Sequence, residues 1–510
     1  MEVGLSHPSC PSGGWRAAFW TVWHVFAKTT IPPAAEGRHT PTASEERALN
    51  PITSSLPESQ TGDVWTPQTW KQKPLQQAVA YPDNGALEQA TAHLSSLPPL
   101  VTSWEIERLR DQLAEAAEGR RFVLQGGDCA ETFSECSPEY ITNKLKILLQ
   151  MSLVLTDGLK RPIVRVGRMA GQYAKPRSKA MESHGGKELP SYFGDLINSA
   201  AFTEESRRPD PRRMIDAYQH SAMTLNFIRA LVDGGFADLH HPEYWDLGFL
   251  GKAGLVPERR AEYLRRVEAL GNAIDVMEVI AGRKIDRVSL MEFYTSHEGL
   301  SLHYESALTR RVPRRPGYYD LACHLPWIGE RTRQVEGAHV EFFRGIRNPI
   351  GVKLGPKATP RELMRLVSIL DPDKEPGRLV LIGRFGAGKV RQVLPGLVAA
   401  TAQTGRHPVW ICDPMHANTV STKSGKKTRH FDLVMEELLE SIDIHEELGT
   451  SLGGVHFELT AENVTECLGG ASGVSEKDLD QRYHSFCDPR LNYEQAMEIA
   501  FAIAHRMEAV

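Results

Sequence analysis

The chain has 510 residues, of which 41% are hydrophobic and 24% charged, with a formal net charge of -5 at pH 7. This balance excludes a disordered chain and a protein that coats nucleic acid through bulk positive charge, so any anionic ligand must be held by locally gathered bases. Seven cysteines, at 10, 129, 136, 323, 412, 467 and 487, form no CxxC pair and fit a reducing compartment better than a secreted disulfide framework.

No stretch reaches the roughly 18 to 20 apolar residues that span a bilayer, so no membrane partner is expected. Residues 1–64 hold seven prolines, six acids and four Lys/Arg without sustained periodicity, and read as a poorly ordered extension. The acids argue against a plastid transit peptide, which leaves a cytoplasmic location as the expectation. Residues 65–120 read as a helical lead-in, with helices over 84–95 and 103–118.

From 121 to 510 the pattern alternates. Apolar runs of strand length fall at 122–125, 162–166, 288–293, 320–324, 349–354, 379–382, 408–412 and 454–459. Helical periodicity falls between them at 138–155, 332–343, 360–370, 390–404 and 431–448. The series predicts a parallel (β/α)8 TIM barrel, although a doubly wound open sheet would give a similar list. The gap after the second run is too long for one crossover helix. It holds a helix over 212–232 and a helical insertion around 236–280, with a pair of helices at 239–249 and 257–276.

Barrel sites lie at the carboxyl ends of the strands, and each predicted end carries ionisable groups. One set is basic: Arg168, Lys175, Arg177, Arg331, Lys353, Arg384, Lys389, Lys427 and Arg429. Arginine forks match phosphate and carboxylate oxygens, and lysine adds a point charge, so the mouth is expected to hold a multiply anionic ligand or two. For any one of these residues a surface ion pair is the ordinary alternative. A second set, Cys129, His416, Glu458 and Asp488, offers a thiolate, an imidazole and two carboxylates, a mixture suited to a first-row divalent metal. Residues 383–389 also satisfy G-x-x-x-x-G-K, but Val390 stands where a phosphate loop has its Mg²⁺-binding Ser/Thr, which disfavours a nucleotide hydrolase. Cys129 could alternatively be a nucleophile, though no adjacent base supports it.

Six motifs in order carry a resemblance: LQGGDCAETF at 124–133, GRMAGQYAKPRS at 167–178, WIGERTRQ at 327–334, GVKLGP at 351–356, CDPMH at 412–416 and ENVTECLGG at 462–470. From about Trp65 onward the chain resembles the type II (plant-like) 3-deoxy-D-arabino-heptulosonate-7-phosphate (DAHP) synthases. The resemblance implies a TIM barrel that condenses phosphoenolpyruvate with erythrose 4-phosphate at the entry to the shikimate pathway. It implies Cys129, His416, Glu458 and Asp488 as ligands of a divalent metal, Mn²⁺ first and Co²⁺ second. It implies Arg168, Glu330, Arg331, Lys353 and Arg384 around phosphoenolpyruvate, and Lys175, Pro176, Arg177, Ser178 and Glu298 around the sugar phosphate. Lys353 and Glu330 are the candidates for proton handling, Lys353 because a lysine among arginines has a lowered pKa. A homo-oligomer and aromatic amino acid effectors are further implied partners.

The sequence departs from the family pattern at Phe193, where Arg is usual, and at Ser199, Phe385 and Ala417, where Gly, Met and Gly are usual. A paralogue of aromatic specialised metabolism using a related aldose phosphate or an amino analogue, or a catalytically silent homologue, is therefore the alternative.

Overall fold

The computed structural model describes residues 64–234 and 292–508, with the isolated positions Ala261, Glu262, Arg265 and Glu268 between them. The expected extension over 1–64, apart from Val64, and the inserted helices at 239–249 and 257–276, apart from those four positions, lie outside the described residues.

Eight parallel strands close into a barrel. In chain order they are β1 (Phe122–Gly127), β2 (Ile163–Arg168), β3 (Tyr294–Glu298), β4 (Leu325–Ile328), β5 (Ile350–Leu354), β6 (Leu379–Gly383), β7 (Val409–Cys412) and β8 (Gly454–Glu458). The sheet closes where β1 pairs with β8, and each strand otherwise pairs with its neighbours in sequence. Fully buried Val, Ile and Leu runs such as β6 have no polar face because helices cover the outside and the barrel core fills the inside.

Among the described residues, two α-helices precede the barrel, α1 (Asn84–Ser96) and α2 (Ser103–Ala117). Thr102 and Glu105 form a reciprocal capping box that starts α2. Leu109, Leu113 and Ala116, one face of α2, join Val123, Val164, Val380, Val409 and Ile411 in the interior cluster of the barrel. The lead-in helix therefore seals one mouth with apolar side chains and leaves the opposite mouth for polar ones.

Outside the strands lie α3 (Pro138–Leu159), α4 (Arg213–Asp233), α5 (Pro360–Leu370), α6 (Val390–Gln403), α7 (Phe431–Glu447) and α8 (Tyr493–Glu508). The sequence reading did not anticipate α8. It packs against α3 so closely that a Cβ on Gly158 would stand 2.3 Å from the Ala504 Cβ.

Two strands sit later than expected. The third is Tyr294–Glu298 rather than 288–293, of which 288–291 lie outside the described residues. Glu292 and Phe293 precede the strand, so Ser296, His297 and Glu298 are part of it rather than beyond it. The fourth is Leu325–Ile328 rather than 320–324. Asp320 instead belongs to a short ribbon with Thr309, and Pro326 is accommodated in the barrel strand beside His297. In both places the strand carries polar or proline residues into the barrel, which a search for apolar runs passes over. The helix expected over 332–343 is confined to Ala338–Phe343, because Gly337 supplies its N-cap.

Leu113 is fully buried in the plug. Leu113→Ala is expected to destabilise the fold by about 2–5 kcal/mol, read as a lowered denaturant midpoint at unchanged slope. An unaltered midpoint would mean that α2 does not carry the barrel interior.

Candidate active site

The register of the first pairings sets the floor of the open mouth. Gly127 lies opposite Glu458 of β8 on one side and opposite Arg168 of β2 on the other. Arg168 Nη2 crosses to Glu458 Oε1 at 3.2 Å, and its Nη1 meets His456 Nε2 at 2.7 Å. His456 lies two residues before Glu458 and so faces the same interior, a period-2 signal present in the sequence but not used.

Three of the four expected metal ligands come together. One donor atom each of Cys129, Glu458 and Asp488 lies within 4.8 Å of the other two. His416 joins them through Glu458, with Nε2 2.9 Å from Oε1. Behind His416, Asp413 Oδ2 is 2.7 Å from Nδ1 and fixes the ring, the arrangement usual for a metal-bound imidazole. Burial alone would raise the Glu458 carboxyl, but His416, Lys175, Arg429 and Arg168 hold it well below the usual range. Burial, together with Cys487 and the Glu458 carboxylate, pushes the Cys129 thiol up. The Lys175 ammonium bridges three of the donors, at 2.9 Å from Cys129 Sγ, 3.2 Å from Glu458 and 3.0 Å from Asp488. A constellation that draws a cation to its centre, built from sulfur, nitrogen and oxygen donors, fits a divalent ion of borderline softness.

Beside this cluster is a cavity of about 290 Å³. Arg168, Lys353, Arg384 and Arg331 line it with Glu298, Glu330 and Trp327. Lys175, Ser178, Arg331 and Lys427 also line an outer chamber of about 840 Å³, which Arg177 and the hairpin of Met181–His184 and Lys187–Pro190 complete. Most of the basic set thus converges as expected. Two members do not: Lys389 is exposed and lines neither chamber, and Arg429 is fully buried behind Glu458, donating to Oε2 at 2.7 Å.

The proton-handling candidates separate. Burial lowers the Lys353 pKa to about 8, with Arg168 acting in the same direction and its contact partner Asp413 opposing. The expected direction holds, but burial rather than the arginines is its main cause. Both Glu330 oxygens are engaged, by the Arg333 fork at 2.8 and 3.1 Å and by the Gly355 amide at 2.7 Å. In contrast, Glu298 Oε1 is buried with no hydrogen-bond partner, and burial raises its carboxyl against the pull of Lys175, Lys353 and Arg168.

The phosphate-loop look-alike is turned inward. The Phe385 amide donates to Glu437 at 2.6 Å and the Ala387 amide to Asn418 at 3.1 Å. Phe193 packs its ring against the cluster that contains Tyr173, Ala174 and Leu196, and its carbonyl accepts the Lys175 amide at 2.8 Å.

A donor cluster that could hold a cation, set beside a pocket lined by basic side chains at the carboxyl ends of a parallel barrel, is an arrangement suited to (β/α)8 enzymes acting on phosphorylated small molecules. Sequence comparison narrows it further. The chain belongs to the class-II DAHP synthetase family, whose profile matches residues 65–504. It is 47% identical over 456 residues to a phospho-2-dehydro-3-deoxyheptonate aldolase of Neurospora crassa, covering 86% of this chain and 94% of that protein. A protein of the same name from Streptomyces coelicolor is 47% identical over 436 residues, covering 86% and 96%.

Asp413→Asn is expected to weaken divalent-metal binding by about 10- to 100-fold, measured by equilibrium dialysis, because it releases the His416 ring. Unchanged affinity would remove His416 from the ligand set.

Proposed function

We infer that this chain is a DAHP synthase, joining phosphoenolpyruvate to erythrose 4-phosphate and releasing phosphate. The observation that carries this reading is the continuity of the two chambers, one basic and lined by Arg168, Lys353 and Arg384, the other entered past Arg177, Ser178 and Arg331, with the Cys129, His416, Glu458 and Asp488 donors beside both. Phosphoenolpyruvate brings a phosphate and a carboxylate and the sugar brings a second phosphate, which accounts for the gathered bases.

In the reaction, C3 of phosphoenolpyruvate bonds to the aldehyde carbon, water adds at C2, and phosphate leaves. Arg168, Arg384 and Lys353 hold the phosphoenolpyruvate oxygens, and Arg331 stands between the two substrates, its Nη2 2.8 Å from Ser178. Lys175 and Arg177 face the acceptor's phosphate. A bound divalent cation, Mn²⁺ in our proposal, supplies Lewis acidity toward the acceptor's carbonyl. Glu298, with its raised pKa and an oxygen that has no hydrogen-bond partner, moves a proton at the attacked carbonyl oxygen or the water, and Lys353 shares that work. Glu330, locked by Arg333 and Gly355, orients the pocket.

Two outcomes test this. Phosphoenolpyruvate absorbance is expected to fall only when erythrose 4-phosphate is present, to stop after chelation, and to resume with Mn²⁺ or Co²⁺. No consumption by folded, metal-loaded protein would sink the reading. Lys353 is charged below about pH 8 and neutral above it, so kcat/KM for phosphoenolpyruvate is expected to fall as pH rises through that value. The alkaline limb should vanish in Lys353→Gln, and its persistence there would assign it to another group.

A further inference from the structure

The glycine-rich loop after β6 has the amide pattern of an anion-binding nest, yet its anion comes from the chain itself. Gly386 adopts φ +90°, which turns successive N–H groups to one side. The Phe385 amide donates to Glu437 Oε1 at 2.6 Å, and the Gly386 amide faces the same carboxylate. Glu437 is fully buried on α7, so both its oxygens need partners. The second oxygen accepts from Asn418 Nδ2 at 2.8 Å. Asn418 in turn accepts the Ala387 amide at 3.1 Å and donates to the Pro414 carbonyl at 2.8 Å.

Two functional loops meet at this point. The loop after β6 carries Arg384, and the loop after β7 carries His416. Arg384 Nη2 itself donates to the His416 carbonyl at 2.8 Å. The Glu437 carboxylate and the Asn418 amide tie the same two loops from behind, through three consecutive amides on one side and a carbonyl on the other.

We propose that Glu437 is a positioning residue that holds the Arg384 guanidinium and the His416 imidazole in fixed relation, so that binding of phosphoenolpyruvate and of the metal both depend on it. The proposal rests on the assignment of Arg384 to the phosphoenolpyruvate pocket and of His416 to the metal. Every hydrogen bond the Glu437 side chain receives comes from a donor, the Phe385 and Gly386 amides and Asn418 Nδ2, and these oppose burial and the nearby Asp413, which together raise the carboxyl to about 7. The isosteric amide of Glu437→Gln sets an N–H₂ against either the Phe385 amide or the Asn418 amide.

The test uses the full-length protein and three variants, Glu437→Gln, Asn418→Ala and Arg384→Gln. Steady-state KM and kcat, Mn²⁺ affinity by equilibrium dialysis, and the thermal midpoint are measured for each. Glu437→Gln is expected to raise KM for phosphoenolpyruvate and weaken Mn²⁺ binding, each by about tenfold, with kcat little changed. Asn418→Ala should shift both quantities in the same direction. A role confined to stability would lower the midpoint and the active fraction while leaving KM and Mn²⁺ affinity at wild-type values, and that result overturns the proposal. If Glu437→Gln does not fold, Asn418→Ala decides, and wild-type KM and Mn²⁺ affinity there overturn it equally. Arg384→Gln separates the two layers. A raised KM in Arg384→Gln with wild-type values in the other variants overturns this proposal alone, whereas an unchanged KM in Arg384→Gln overturns the pocket assignment beneath it.

Discussion

The Glu458 carboxylate is the constraint on which the mouth of the barrel depends. It has no exposure to solvent, and burying an unpaired carboxylate costs several kcal/mol. Four cationic or potentially cationic groups answer it, Arg429 at 2.7 Å, His416 at 2.9 Å, and Arg168 and Lys175 at 3.2 Å. Each comes from a different part of the chain, so one buried charge draws the ends of β2 and β8 and the loops after β2 and β7 to a common point. Gly127 makes the approach possible: at φ +148° a Cβ there would stand 2.5 Å from the Arg168 carbonyl oxygen.

The same device recurs one layer out. Glu131 accepts the amides of Ala170, Gly171 and Gln172 at 2.9 to 3.1 Å and shapes the turn that leads to Lys175. Glu466 accepts the amides of His484, Ser485 and Arg490, and so holds the loop that carries Asp488. Glu330 accepts the Gly355 amide beside Lys353, and Glu437 accepts that of Phe385 beside Arg384. Glutamates thus consume backbone donors around the rim, and the basic side chains lining the inner chamber, several of them also paired with Glu458 or Asp413, outnumber the acids there. This division explains how a protein with net negative charge presents a cationic pocket.

The barrel was largely legible in the sequence, and the failures have two causes. Six of the barrel strands fall where apolar runs end in charged residues, because an all-buried parallel strand is an apolar run. The third and fourth strands slipped because they include Ser296, which faces the interior toward Gln125, and His297 and Pro326, which face outward with His297 on Glu305, and at none of the three does composition mark burial. The ligand quartet is spread from 129 to 488, and donor chemistry and the resemblance joined it, since spacing along the chain carries no information about strand ends across a barrel. The supporting acids escaped for another reason. Glu131, Glu437 and Glu466 sit in polar or helical stretches where a carboxylate reads as solvated surface, and their burial follows from tertiary packing alone.

The departures from the family pattern fall in that supporting layer. Phe193 accepts the Lys175 amide on its carbonyl, packs its ring against an apolar cluster and lines neither chamber. The Ala417 methyl follows His416 and stands 3.4 Å from where a Gly386 Cβ would be, against the loop that Glu437 holds. Phe385 is buried, its ring over Gly383, and donates its amide to Glu437. The Ser199 amide closes a local turn onto the Ser206 carbonyl at 2.7 Å. Ser199, Phe385 and Ala417 carry no charge and act on how the neighbouring charges are aimed, whereas Phe193 stands without a positive charge next to Lys175. Aim matters as much as identity in such a site, because a displacement of about 1 Å in a positioning group can cost a hundredfold in rate. Divergence within this fold is therefore expected to tune affinity and the fit of the acceptor before it alters the bond that is made.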